Sequence, residues 1–399
     1  MLIWKIKPIW VKLIYELNKA IIELSAENAG FTVKMNGKKV NSSLLPSNIV
    51  VYYSGLSDKM EKLCKIHEEN QEIAFRKGQI VKRPLFYYRP KNFKMFLLSL
   101  FAFEFGDTKD FILNKINVDR LKSFSIEILE PEWNKRAKKR ESASNFWGIR
   151  GVNESFLNKL DEFSNNKVVN KNDSIIEYTF NSIEKLYEIK TFIGDNKNTG
   201  EKTIFESLDM LFYQGILGDI SLSLEKNTQI IDSDALSEGE KQIIAIRGIN
   251  DLLVEENTLL LFDEPDTYLH PSWQSQFTDE IIHYSEKTQF VVTTHSPQLL
   301  TNMNPKFAHL SYIENGKLNE FIPYYYGRDI NSILYGLMNT EERNKDIDTQ
   351  LTQLSRHIAL NQIEKAENLY IVLAEKIGKD EPKLIAAAAE IDFIKSEEE

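Results

Sequence analysis

The sequence predicts an α/β protein with a mixed or parallel sheet, a mostly helical insertion and a helical carboxyl-terminal appendage. Three observations predict it. Thr258 to Phe262 is a short unbroken apolar run, the pattern of a strand covered on both faces in a parallel sheet. Pro271 then opens a helical repeat with Trp273, Phe277, Ile281 and Ile282 on one side, and Gln289-Phe-Val-Val-Thr293 follows as a second strand. Strand, helix and strand in so short a stretch form a βαβ unit, whose right-handed crossover sets both strand ends on one sheet edge.

The other elements follow in chain order. Trp10 to Leu24 carries Leu13, Ile14, Leu17, Ala20, Ile21 and Leu24 at three-and-four spacing, which predicts an opening helix. Phe31 to Met35, Asn36-Gly37 and Lys38 to Val40 predict a hairpin, because Asn-Gly supplies the positive φ angles of a tight turn. Ile49 to Tyr53, between Pro46 and Gly55, is a strand. Residues 56–225 mix helix-like stretches near 57–77, 93–103, 155–163 and 203–216 with strand-like ones near 123–129, 175–180 and 219–225. Ser237 begins a helix that buries Ile243, Ile244, Ile246, Ile249, Leu252 and Leu253. A second Asn-Gly hairpin is centred on Asn315-Gly316, and three amphipathic helices follow from residue 347 onward. The predicted divisions are 1–55, 56–225, 226–320 and 321–399.

Composition excludes several classes. With 399 residues, 42% hydrophobic and 27% charged, and with only 17 Gly and 11 Pro, the chain reads as folded and not as disordered or collagen-like. A net charge of −10 repels polyanions, so contact with nucleic acid needs a local basic patch. Lys135-Arg-Ala-Lys-Lys-Arg140, near Trp133 and Phe146-Trp147, offers such a patch or else a solvated surface. The single cysteine, Cys64, suits a reducing cytoplasm and cannot form an internal disulfide. Lysines interrupt the amino-terminal apolar run before it reaches signal length, and no segment has the roughly 20 apolar residues of a spanning helix, so no membrane anchor is expected.

The chemistry gathers after residue 230. Asp263 and Glu264 end one strand and His295 follows the next, so all three can converge outside the carboxyl ends of a parallel sheet. An unpaired buried carboxylate costs several kcal/mol, so this acid pair needs either a cation or backbone donors. Ser237-Glu-Gly-Glu240 is both a capping box and a helix start whose free N–H groups suit an anion. His67, His283, His309 and His357 are scattered and form no nuclease constellation.

Leu236-Ser-Glu-Gly-Glu-Lys-Gln242 resembles the signature of ATP-binding-cassette ATPases, Leu260-Leu-Phe-Asp-Glu-Pro265 their Walker B strand, and Thr293-Thr-His-Ser-Pro297 their switch histidine. Order and spacing together resemble the carboxyl-terminal half of a nucleotide-binding domain of the RecF and SMC type, an ABC-ATPase-like lobe. The resemblance implies ATP and Mg²⁺ as ligands, with Asp263 on the metal's hydration shell, Glu264 as the base on the attacking water and His295 at the γ-phosphate. It also implies that Ser237, Glu238, Gly239 and Glu240 reach ATP held by a second subunit, completing the site in a dimer or a higher even oligomer.

Two departures qualify this. His270 stands where such ATPases often carry an aspartate, and no Gly-x-x-x-x-Gly-Lys-[Ser/Thr] loop occurs in these residues, the nearest approach being Gly30 to Gly37-Lys38 in a hairpin. The expectation is a chain that starts just after that loop, with ordinary ATP binding weak as it stands. Tyr326-Gly-Arg-Asp-Ile-Asn-Ser-Ile-Leu334, Gly378-Lys-Asp-Glu-Pro382 and Tyr52-Tyr-Ser-Gly55 resemble the ATPase subunits of Septu-type antiphage systems and retron-associated ATPases. That implies a separate HNH-type nuclease as partner and admits DNA or retron nucleic acid as another. The competing expectations are a scaffold that no longer hydrolyses ATP and a repair ATPase with a coiled-coil arm, although 56–225 lacks sustained heptads.

Overall fold

The computed structural model describes residues 11–17, 20–27, 30–40, 46–55, 58, 60–65, 68, 85–170, 173–193, 200–282, 288–306, 308–314, 317–320, 325–336 and 343–398. The chain divides into two compact units, 1–295 and 296–399.

The first unit opens with strands β1 (Val11–Leu17), β2 (Ala20–Glu27), β3 (Gly30–Met35) and β4 (Lys38–Lys39), an antiparallel sheet in that order. The helix expected over 10–24 is therefore two paired strands, with Leu17 opposite Ala20 and Val11 opposite Ala26. Val11, Leu13, Tyr15 and Leu17 also alternate, so the segment fits both periods. Pairing with β2, and of β2 with β3, decides between them, which no local window can see. The Asn36-Gly37 hairpin forms as expected, with φ of 48° and 79° and Met35 opposite Lys38.

Strands β5 (Asn48–Tyr53) and β6 (Leu85–Tyr87) belong to the parallel sheet, and α1 (Phe93–Phe101) follows them. An antiparallel sheet of five strands comes next, ordered β11-β10-β7-β9-β8. Its members are β7 (Arg120–Leu129), β8 (Asn166–Asn170), β9 (Ile175–Phe180), β10 (Leu217–Lys226) and β11 (Gln229–Asp232). Helices α2 (Val152–Phe163), α3 (Ile183–Ile193) and α4 (Gly200–Tyr213) lie between these strands in sequence. The stretches read as helical near 93–103, 155–163 and 203–216 and as strands near 123–129, 175–180 and 219–225 are all found as such. Part of the stretch near 57–77 falls outside the described residues.

Helix α5 (Glu238–Leu253), β12 (Thr258–Asp263), α6 (Pro271–Ile282) and β13 (Thr288–Thr293) complete the βαβ unit. The parallel sheet runs β13-β12-β5-β6, with Asp263 level with Thr293 on one side and Tyr53 on the other. Thr258, Leu260 and Phe262 are buried while Leu259 and Leu261 are half-buried, so β12 is covered more fully on one face than the other. Over that face lies an aromatic core in which Phe96 stacks on Phe205 at 4.5 Å and meets Phe86 edge-on at 5.9 Å.

Beside the antiparallel sheet, Glu130 is 1% exposed and accepts hydrogen bonds from Asn134 Nδ2 (2.7 Å), Arg140 Nε (2.9 Å) and Ser174 Oγ (3.0 Å). Burial pushes its pKa up, but these donors outweigh burial and hold it below the usual carboxylate range. A depressed folded pKa means stability that is present above the unfolded value, near 4.3, and is lost as pH falls through the folded one. Glu130→Gln is expected to cost about 1–2 kcal/mol near neutral pH, Arg140 being half exposed and screened. Urea melts from neutral to acid pH check this: the gap to the unaltered protein should close on acidification, and a gap independent of pH would refute it.

The second unit holds α7 (Pro297–Asn302), the hairpin β14 (Ser311–Glu314) and β15 (Lys317–Glu320), and α8 (Ile330–Gly336). The turn Asn315-Gly316 lies outside the described residues. Three helices follow as the periodicity predicts: α9 (Lys345–Ala359), α10 (Ile363–Ile377) and α11 (Pro382–Glu398). They share a core of Leu351, Leu354, Ile358, Ala366, Leu373, Leu384, Ala387 and Ile391. Asn344 caps α9, and Gly378, at φ 87°, ends α10 as a left-handed glycine should.

Candidate functional site at the carboxyl edge of the parallel sheet

Strands β12 and β13 end together and deliver their acids and histidine to one place. Thr293 Oγ1 donates to Asp263 Oδ1 at 2.5 Å, and the Glu264 amide donates to the Thr293 carbonyl at 3.0 Å. Glu264 Oε1 lies 3.4 Å from His295 Nε2, with the imidazole 85% and the carboxylate 42% exposed. Glu264 has a φ of 47°, a left-handed conformation that costs a non-glycine residue of order 1 kcal/mol or more. The backbone therefore turns sharply at Glu264 while its side chain stays beside His295 and its carbonyl accepts from Thr267 Oγ1 at 3.0 Å.

The loop after Glu264 supplies a residue that sequence reasoning missed. Asp266 is 5% exposed, accepts from Thr294 Oγ1 at 3.0 Å through Oδ2, and leaves Oδ1 without a partner. Burial pushes its carboxyl above the ordinary value, against the hydrogen bond from Thr294. It thus ties the loop after β12 to the segment that carries His295. The only signal in the sequence was a third acid in Asp263-Glu-Pro-Asp266. His270, singled out for its position, bonds Ser272 through Nδ1 at 2.8 Å and offers its carbonyl to the first turn of α6. It serves as a helix start.

At α5 the capping box forms. Ser237 N–H donates to Glu240 Oε2 at 2.8 Å and Glu240 N–H to Ser237 Oγ at 3.3 Å, while Lys226 pairs with the Glu240 carboxylate. Ser237 and Glu238 are exposed. The box occupies two of the first-turn amides and leaves those of Glu238 and Gly239 for an anion.

Gly239 has an additional reason, internal to the chain. A Cβ built there would lie 2.7 Å from the Tyr268 backbone carbonyl, so the loop following Glu264 packs on this helix start at a distance only glycine permits. Gly239→Ala is expected to destabilise the protein by about 1–3 kcal/mol although alanine is the better helix former. Denaturant midpoints decide it, and a stabilised variant would show that the loop yields freely.

A cleft of about 1120 Å³ opens beside these elements, walled by Tyr53, Tyr88 and Arg89 at the ends of β5 and β6, by Glu238 and Gln242 of α5, and by Tyr268. Of the seven residues singled out from sequence, only Glu238 lines it; Asp263, Glu264 and His295 do not. Part of the basic run, read as a nucleic-acid patch or else a solvated surface, is taken up by acids. Arg140 serves Glu130, and Lys135 and Arg136 pair with Glu132. Phe146 and Trp147 are buried, with Trp147 Nε1 bonded to the Asp173 carbonyl at 2.7 Å, so neither ring is open to stacking on a base.

Known proteins resemble this chain over part of its length. Residues 119–301 match the family described as "AAA domain, putative AbiEii toxin, Type IV TA system". The match is to an ATPase domain of ABC-like type. The "Retron Ec83 probable ATPase" of Escherichia coli is 27% identical over 190 residues, 43% of this chain and 34% of that protein. The "Septu protein PtuA" of Bacillus mycoides (strain KBAB4) is 24% identical over 141 residues, 32% of this chain and 20% of that one. The chain therefore spans well under two thirds of either relative. A solved Smc head bound to the C-winged helix domain of ScpA aligns over 76% of this chain and 68% of its own, at 12% identity and a TM-score of 0.26, a likeness too loose to argue from. Among the described residues no helix is long and apolar enough to cross a membrane.

Proposed function

We propose that this chain is the ATPase subunit of a defence system of the Septu or retron type, binding ATP between subunits and controlling a partner nuclease of the HNH type. The observation that carries the reading is Glu264, held at a left-handed backbone angle with its carboxylate 3.4 Å from His295. Strain kept at one glutamate on a sheet edge is how a fold fixes a base in place. Glu264 takes a proton from the attacking water, and His295 donates to the oxygens of the γ-phosphate, where charge is spread as the bond breaks. Mg²⁺ fits the oxygen donors present. Asp263 accepts from Thr293 through Oδ1 and keeps Oδ2 without a donor among the described residues, so this carboxylate would join waters and phosphates around the ion. When bound, it neutralises phosphate charge.

Ser237 and Glu238 are exposed at the start of α5, where this helix end would meet nucleotide on a second copy. The test is complementation. Ser237→Arg and Glu264→Gln each inactivate both sites of a homodimer, but a mixed dimer keeps one site with neither defect. Mixing the two inactive intact gene products should restore hydrolysis towards half per mixed dimer, and silence on mixing would overturn the shared site. A second reading is a dimerising platform that does not hydrolyse ATP. It predicts no turnover in any mixture and no loss of nuclease control in either variant.

A further inference from the structure

Two acids on the loop after β12 grip consecutive residues at the exit of β13. Glu264 Oε1 lies 3.4 Å from His295 Nε2, and Asp266 Oδ2 accepts from Thr294 Oγ1 at 3.0 Å. Strand β13 ends at Thr293, level with Asp263, so Thr294 and His295 lie beyond the last rung of the parallel ladder, which does not fix them. The two grips differ in burial. The His295 side chain is 85% and that of Glu264 42% exposed, whereas Asp266 is 5% exposed and Thr294 half-buried. The outer pair is open to a ligand, and the inner pair is where the segment is held.

Asp266 is itself anchored. Gln274 of α6 donates through Nε2 to the Asp266 carbonyl at 3.0 Å and to the Leu269 carbonyl at 3.1 Å. Hydrogen bonds therefore run from α6 through Asp266 to Thr294, one residue before the imidazole. Burial pushes the Asp266 carboxyl up and Thr294 pulls it down, and the charges of Glu264 and His295 act on it in the same two senses, so it shares one electrostatic neighbourhood with both. The arrangement carries a cost, because Asp266 Oδ1 is buried without a partner. An unpaired buried oxygen works against stability, so stability alone does not account for an acid here. We propose that Asp266 is a positioning residue for His295, holding Thr294 so that the imidazole meets the γ-phosphate. The inference rests on the hydrolysis proposed for Glu264 and His295. Asp266 acts through Thr294 and not on the reacting atoms.

Paired substitutions in the intact gene product test it. Asp266→Ala and Thr294→Val each remove the bond, and each should lower kcat about 10- to 100-fold while KM for ATP changes by less than about twofold. The double variant should be no slower than either single, since both lose the same bond. Asp266→Asn keeps an acceptor and Thr294→Ser keeps the donor, so each should recover most of the lost kcat. Amide hydrogen exchange without nucleotide gives a second reading: the peptide carrying His295 should exchange faster in Asp266→Ala than in Asp266→Asn. Should alanine at 266 fail to fold, Thr294→Val against Thr294→Ser carries both comparisons. Losses that multiply in the double variant, a raised KM at unchanged kcat, or equal exchange in the paired variants would overturn the positioning. No turnover in the unaltered protein would sink the ATPase reading instead, and the exchange comparison would still decide whether Asp266 holds the segment.

Discussion

Glu264→Gln is expected to lower ATP turnover by about 10²-fold or more while ATP remains bound. The amide keeps the size of the side chain and its contact with His295 but cannot accept a proton. The backbone strain at φ 47° stays the same, since glutamine and glutamate share the left-handed penalty, so loss of activity cannot be laid to unfolding. Glu264→Gly separates the two effects further. It removes the strain and should raise stability by up to about 1 kcal/mol while abolishing turnover, a trade that only a functional outlier shows. Phosphate release at saturating ATP, beside thermal melts of the intact gene product, gives both readings. Unchanged turnover in the glutamine variant would remove Glu264 as the base.

How much of this was legible depended on the distance over which each feature is decided. The β12–α6–β13 unit, the capping box at Ser237 and the three terminal helices are written in local periodicity and local caps, and the fold keeps them. The opening segment was misread because Val11 to Leu24 satisfies two periods at once, and β3, further along the chain, breaks the tie. Gly239 was read only as part of a helix start that reaches nucleotide; the Tyr268 carbonyl, 29 residues away, gives it an internal reason. Asp266 was invisible because burial of an acid in a loop leaves no pattern. Arg140 looked like one charge in a basic run until Glu130, 10 residues back, claimed it. Convergence of Asp263, Glu264 and His295 was legible because parallel strand ends share an edge by topology alone.

Arg89→Ala should cost about 3 kcal/mol of stability or more. Arg89 follows the end of β6, with its side chain 16% exposed and that of Glu68 8%. Its Nη2 and Nη1 reach Glu68 Oε2 and Oε1 at 2.6 and 3.0 Å, its Nε reaches Glu61 at 3.1 Å, and its guanidinium lies 5.0 Å from the Tyr87 ring centroid. Tyr213 of α4 donates to Glu68 Oε1 at 2.7 Å, so one fork joins the sheet edge, Glu68 and a helix. Burial works against the cation, yet bonds to Glu68 and Glu61 raise its pKa and keep it charged. Alanine leaves the Glu68 carboxylate buried with little beyond one hydroxyl donor, and that uncompensated charge is the main cost. Pairing Arg89→Met with Glu68→Leu removes the charge as well, so the double variant should lose less than the sum of the two singles, the mark of a coupled pair. Arg89→Lys should fall between, since an ammonium cannot bond both carboxylate oxygens in the plane. Urea midpoints of the unaltered protein, of Arg89→Ala and Arg89→Lys, and of the Arg89→Met and Glu68→Leu singles with their double test the order, and strictly additive losses would show that the fork is only a surface contact.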